Sequence, residues 1–148
     1  MSKTISYKGK LAMGLQEEIN CKTNNGKTGY KITKFQIIST IPGANDAETV
    51  LKIYTKSQLG SVSPTVDFTE SDLLAVAYYK DGAGANQDGD VVIIFDNAPF
   101  NQNIFVTADD GSSATVPFNY YIELETMPLS DIETTKLTLQ SIRTVTSP

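Results

Sequence analysis

Histidine and tryptophan are absent from this sequence, and arginine and cysteine occur once each. Without histidine there is no imidazole general base, no Ser-His or Cys-His nucleophile pair and no His-containing zinc site. A single cysteine, Cys21, excludes an internal disulfide. With Asn20 and Lys22 beside it and no base to deprotonate it, it reads as an ordinary buried or half-buried thiol. Arg143, the sole arginine, leaves bidentate recognition of phosphate or guanine almost without its usual donor. No apolar run approaches the roughly 20 residues of a membrane span, and Met1-Ser2-Lys3-Thr4-Ile5 lacks the apolar core of a secretion signal. The expectation is a protein made in a cytoplasm, with no membrane partner and no signal peptide.

What remains is a chain of 148 residues, 40% hydrophobic and 20% charged, which suits one globular domain, here residues 1–148. The net charge of −5 has the wrong sign for gripping a phosphate backbone, so nucleic acid is not an expected partner. That charge is unevenly distributed. Residues 1–34 carry seven lysines (Lys3, Lys8, Lys10, Lys22, Lys27, Lys31, Lys34) against Glu17 and Glu18, or +5; the remainder has five cations and fifteen carboxylates, or −10. A basic docking arm and a solvated lysine-bearing strand both produce this split.

Apolar residues alternate with polar ones more often than they recur at helical spacing, and β-branched and aromatic residues fill the apolar segments. Ile5, Tyr7, Leu11 and Met13 share one face of an opening strand that ends at Gly14, with Lys8 and Lys10 pointing away. Residues 15–29 read as a polar connection with a turn at Asn24-Asn25-Gly26. From Tyr30 to Ile41 the apolar parity switches once between Ile32 and Phe35, which predicts a β-bulge or burial on both faces. Pro42 to Asp46 is a turn, Thr49 to Thr55 a strand, and residues 56–67 a loop. Thr69 and Asp72 suggest a capped helical turn before the strand through Leu73–Tyr79. A Gly/Asp-rich loop from Asp81 to Gly89 precedes an apolar strand, Val91–Phe95. Asn103–Ala108 is a strand and Asp109–Ser113 a turn. Phe118, Tyr120, Ile122 and Leu124 alternate against Asn119, Tyr121, Glu123 and Glu125, and Leu137, Leu139 and Ile142 suggest a closing strand. Seven or eight strands without a long amphipathic helix predict an all-β, single-domain antiparallel β-sandwich, with a jelly roll as one candidate form.

Chemical motifs are sparse. The loop at 81–90 is rich in oxygen donors, but as an EF-hand its first ligand would be Gly84 and its last Phe95, so that motif fails. An irregular calcium site with Asp109 and Asp110 is a lesser alternative to a solvated acidic loop. Gly82-Ala83-Gly84 runs into a strand rather than a helix, which is not a dinucleotide fingerprint. Glu123 and Glu125 share one sheet face, as acids on the wet side of a sheet do, although such pairs also serve glycoside hydrolysis. The tyrosine pairs Tyr78-Tyr79 and Tyr120-Tyr121 put one ring on each face; an outward Tyr121 could stack on a sugar or enter an interface. No catalytic, cofactor-binding or metal-binding residue emerges, and the chain reads as a non-enzyme.

The succession Gly29-Tyr30-Lys31-Ile32, Phe35-Gln36-Ile37-Ile38, Val50-Leu51-Lys52-Ile53-Tyr54, Asn103-Ile104-Phe105-Val106-Thr107, Asn119 to Glu125 and Leu137 to Arg143 resembles small virion structural proteins of marine tailed phages, notably those of cyanobacteria. The similarity spans about residues 28–145 and rests on strand order and short strings. It implies a capsid decoration, or cement, protein that binds the outside of the shell as a symmetric homo-oligomer, located in the virion, with the major capsid protein or other virion proteins as partners. Such a subunit requires no cofactor and docks through edge strands or termini. Residues 1–14, with Lys8 and Lys10, and the tail 144–148 are the candidate docking segments, and Tyr121 is a third candidate contact. A tail or tube component and a glycan-binding module of a phage fibre are the alternatives.

Overall fold

A computed structural model describes residues 3–21, 27–42, 47–81, 90–95, 99–112, 114–130, 133 and 135–139. Among the described residues eight strands form two antiparallel sheets: β1 (Thr4–Leu11), β2 (Leu15–Ile19), β3 (Thr28–Ser39), β4 (Ala47–Tyr54), β5 (Leu73–Asp81), β6 (Asp90–Ile94), β7 (Ile104–Asp110) and β8 (Phe118–Pro128). One sheet has the order β1-β8-β3, the other β2-β7-β4-β5-β6. The pairs β1 with β8, β2 with β7 and β4 with β5 nest one inside the next, the arrangement on which a jelly roll is built, while β6 bonds to β5. The expected β-sandwich is therefore the observed fold.

The core lies between the sheets and comes from the predicted alternation. Along β8, Phe118, Tyr120, Ile122 and Leu124 are all buried, and they face Phe35 and Ile37 of β3 and Leu51, Ile53, Ile104 and Val106 of the opposite sheet in one cluster. Each such side chain contributes on the order of 1.5–3 kcal/mol by leaving water. The phase change in β3 is a β-bulge: the register with β8 slips between Ile32 and Lys34. Thr33 is the extra residue, and Ile32 and Phe35 both reach the core. At Gly9 the ring of Tyr120 lies over the backbone so closely that a Cβ would sit 2.6 Å from its hydroxyl oxygen, so this position in β1 is left without a side chain.

Several expectations fail, each for a visible reason. Residues 15–19 are a strand rather than connection: β2 pairs with β7 from Leu15↔Ala108 to Ile19↔Ile104. It is an edge strand that buries Ile19 and leaves Leu15 exposed, so its sequence shows little alternation. Residues 135–139 are helical rather than a closing strand. Ahead of them Ser130 and Glu133 form a reciprocal capping box, in which the Glu133 N–H donates to Ser130 Oγ (3.2 Å) and the Ser130 N–H to Glu133 Oε1 (3.1 Å). Thr69 and Asp72 cap no helix. Tight turns run through here, Glu70 N–H to Asp67 C=O and Leu73 N–H to Glu70 C=O, and Asp67 accepts both the backbone N–H and the hydroxyl of Thr69. The apolar strand expected at 91–95 is present as β6, at a sheet edge with Val91, Val92 and Ile93 exposed.

The five-stranded sheet is covered on its second face as well. Val50, Tyr54, Leu73 and Val76 form a smaller cluster with Tyr78 and Phe95. Phe68, from the segment after β4, packs edge-on against Phe95 at 5.2 Å. Beneath the same segment Lys52 is buried, and its Nζ donates to the Thr65 carbonyl at 2.5 Å. Burial lowers the Lys52 pKa, against the pull of Glu70 and Asp109. The segment between β4 and β5 is thus the loop that its composition predicts, yet it acts as a third layer.

Candidate interaction face

Among the described residues the outer face of the three-stranded sheet is the uncovered one, and β-sheet register decides what stands on it. In β1 the even-numbered residues Thr4, Ser6, Lys8 and Lys10 point outward and are exposed. Lys8 is directly opposite Tyr121 in β8, which is opposite Gln36 in β3; Lys10 is opposite Asn119, and Asn119 opposite Ile38. The three residues singled out for partner binding, Lys8, Lys10 and Tyr121, are therefore neighbours on one face, with adjacent strands about 4.8 Å apart.

One step along the same face, Ser6, Glu123 and Lys34 form a row, and Thr4, Glu125 and Lys31 form the next. Glu123 organises its surroundings: its Oε2 accepts the Tyr121 hydroxyl at 2.7 Å and lies 3.9 Å from Lys34 Nζ. The carboxylate as acceptor holds the Tyr121 phenol above its ordinary pKa, partly offset by Ser6. This ties the ring down at its hydroxyl end. The Lys34 pair is half-exposed and adds little stability. Four lysines (Lys8, Lys10, Lys31, Lys34) against two glutamates (Glu123, Glu125) give this face +2 on a chain of net charge −5. Glu123 is thus tied to Tyr121 and Lys34, and Glu125 stands one step along the same face.

The other tyrosines divide as their parity requires. Tyr120 is buried with its hydroxyl donating to the Glu17 carboxylate across the sandwich, and Tyr79 packs edge-on against Phe118 at 5.4 Å. Tyr78 joins the cluster on the second face of the five-stranded sheet. Cys21 is buried beside Tyr7; burial pushes its pKa up to about 11, against the hydrogen bond from Tyr7. It has the character of a structural thiol.

Asp110, considered above as a calcium ligand, is spoken for by its own turn. Its Oδ1 accepts from the Ser112 N–H (2.7 Å), the Ser112 hydroxyl (2.7 Å) and the Ala114 N–H (3.1 Å). Its Oδ2 accepts from the Glu48 N–H (2.9 Å) and the Thr49 hydroxyl (2.8 Å). Burial alone would raise its pKa; the hydrogen bonds from Ser112 and Thr49 together outweigh that and hold the carboxyl below the usual aspartate range. Among the described residues no group of three or more metal-ligating side chains forms, and loop residues 82–89 and the tail 144–148 lie outside them. Ile38, exposed beside Asn119, is an apolar member of the face that alternation alone did not single out. Its outward parity, set by the bulge at Thr33, was the available signal.

No family model and no curated protein matches the chain. Among solved structures, the crystal structure of the Yersinia pseudotuberculosis-derived mitogen is similar at 11% identity and a TM-score of 0.33, over 88% of this chain and 89% of that one. The VP2 subviral particle of infectious bursal disease virus is similar at 9% identity and a TM-score of 0.24, over 88% of this chain; the chain spans 38% of that protein's length.

Proposed function

We propose that this chain is a non-enzymatic structural protein of a phage virion, a capsid decoration protein that sets the outer face of its three-stranded sheet against the shell. One observation carries the docking assignment: β1 and β8 place Lys8, Lys10 and Tyr121 side by side on an exposed, net positive face of an acidic protein. A tyrosine beside lysines on a net positive face is a composition suited to a carboxylate-rich protein surface, where the aromatic supplies contact area and the lysines supply orientation and association rate. The resemblance to phage virion proteins supplies the shell as the partner, and many identical sites would add modest contacts through avidity.

The test is co-sedimentation with purified capsids of the source phage. The double variant Lys8→Glu, Lys10→Glu changes the face from +2 to −2, and should weaken binding by about 10–100-fold, with affinity falling as salt rises in the wild type. Unchanged capsid binding by this variant refutes the face. Failure of the wild-type chain to sediment with any capsid or tail, together with binding on a glycan array that Tyr121→Ala abolishes, replaces the virion reading with that of a glycan-binding module.

A further inference from the structure

Of the four strands that end a sheet, three carry charges that discourage further pairing. β1 presents Lys8 and Lys10, β3 presents Lys31 and Lys34 around its bulge, and β2 presents Glu17 and Glu18. Charged side chains and bulges are the usual protections of an open edge. β6 has neither. Its central residues are Val91-Val92-Ile93-Ile94, and Val91, Val92 and Ile93 are 52%, 38% and 36% exposed. Val92 lies opposite Ala77, on the sandwich side of the sheet.

The direction of the backbone groups on this edge follows from the ladder. Phe95 N–H donates to the Leu74 carbonyl at 3.1 Å, in the same register as Ile94↔Ala75, Ile93↔Val76 and Val91↔Tyr78. Residues 91, 93 and 95 therefore turn their N–H and C=O groups towards β5, and alternation turns those of Asp90, Val92 and Ile94 to the open side. We propose that this edge pairs antiparallel with β6 of a second copy of the chain, about a two-fold axis through Val92, joining the two five-stranded sheets into one.

The occupant is assigned by self-complementarity. In that register Val92 meets Val92 of the second copy and Asp90 meets Ile94 in both directions, so every outward backbone group of the strand falls into a hydrogen-bonded pair. Val91 meets Ile93, a cross-strand pair of β-branched residues of the kind that stabilises sheets. The two Asp90 positions stand four residues apart along the ladder, about 13 Å at ~3.3 Å per residue, beyond the ~8 Å Debye length of physiological salt. No charge opposes a like charge, and an isologous contact of this kind closes on itself. The pairing gives an interface to the oligomer of the virion reading, while using the sheet that does not carry Lys8, Lys10 and Tyr121.

Analytical ultracentrifugation of the full chain, with amide exchange at Val92 and Ile94, tests it. The expected species is a dimer of twice 16.1 kDa whose Val92 and Ile94 amides lose protection on dilution. Val92→Pro removes an N–H that bonds to no strand among the described residues, a place where an edge tolerates proline. It should leave the circular dichroism intact and raise the dimer dissociation constant at least about 100-fold. Should that variant misfold, Val92→Lys reads the same contact, and a larger oligomer halved in mass by either substitution also supports the pairing. Three results overturn it: a monomeric wild type at about 100 µM, well above micromolar dissociation constants; an unchanged dimer in the folded variants; or Val92 and Ile94 amides fully protected in the dilute monomer, which would mean that the chain covers its own edge. The variant Lys8→Glu, Lys10→Glu should dimerise as the wild type does, so loss of capsid binding and loss of dimer are read separately.

Discussion

Replacing Asp110 by alanine withdraws the acceptor from five donors at once, and the structure indicates which of them water can rescue. The Ser112 groups stand on an exposed turn and rehydrate. The Thr49 hydroxyl does not, because Thr49 is 0% exposed. A buried hydroxyl left without a partner costs about 2 kcal/mol, and the half-buried N–H groups of Glu48 and Ala114 about 1 kcal/mol each, for a loss of about 4 kcal/mol. For a domain of this size that lowers the melting temperature by roughly 8–16 °C. The assay is urea denaturation followed by far-ultraviolet circular dichroism, where the midpoint should fall at unchanged slope. A loss below about 1 kcal/mol refutes the account of the turn. A second arm uses pH. Because folding holds this carboxyl below its unfolded value of about 3.9, its contribution is fully present above that pH and is lost as pH falls through the folded pKa. Asp110→Asn should be less stable than wild type at neutral pH, and the difference should shrink on acidification below about pH 4.

Thr107 is the opposite case: it is 1% exposed and, among the described residues, its Oγ1 is the buried side-chain oxygen without a hydrogen-bond partner. Thr107→Val keeps the shape and removes the unsatisfied hydroxyl, so it should stabilise the fold by about 1–2 kcal/mol in the same urea assay; a loss would mean that the oxygen has a partner in solution. Cys21, buried with its pKa at about 11, should resist a thiol reagent at pH 8 in the native chain and react at once in urea. Rapid native labelling would show that the strand end after Ile19 opens readily.

The legible parts of this fold are those in which one strand has one wet and one dry face. β8 shows it in Phe118, Tyr120, Ile122 and Leu124, and the slipped parity of β3 located its bulge. The same parity put Tyr121 and the two lysines outward, although only the pairing of β1 with β8, strands more than a hundred residues apart, makes them neighbours. β2 was hidden because Leu15-Gln16-Glu17-Glu18-Ile19 buries so little. The helix at 135–139 has a local signal in Ser130-Asp131-Ile132-Glu133, a capping signature that the reading of Leu137 and Leu139 as a strand passed over. The exposure of β6 could not be read from its residues, since an apolar strand looks the same at an edge and in the middle of a sheet.

The position of β8 sets the order of events as the chain is made. In the three-stranded sheet β1 and β3 both bond to β8, and among the described residues the further bridge is that of Tyr30 to Phe100. Two lengths of strand with apolar sides therefore wait, without their sheet partner, until residues from Phe118 onward have left the ribosome. At about 5–20 residues per second that delay lasts seconds, long compared with the microseconds in which a hairpin closes. The fold is completed from its far end, so a premature stop before β8 yields no smaller sandwich but a chain with its keystone missing.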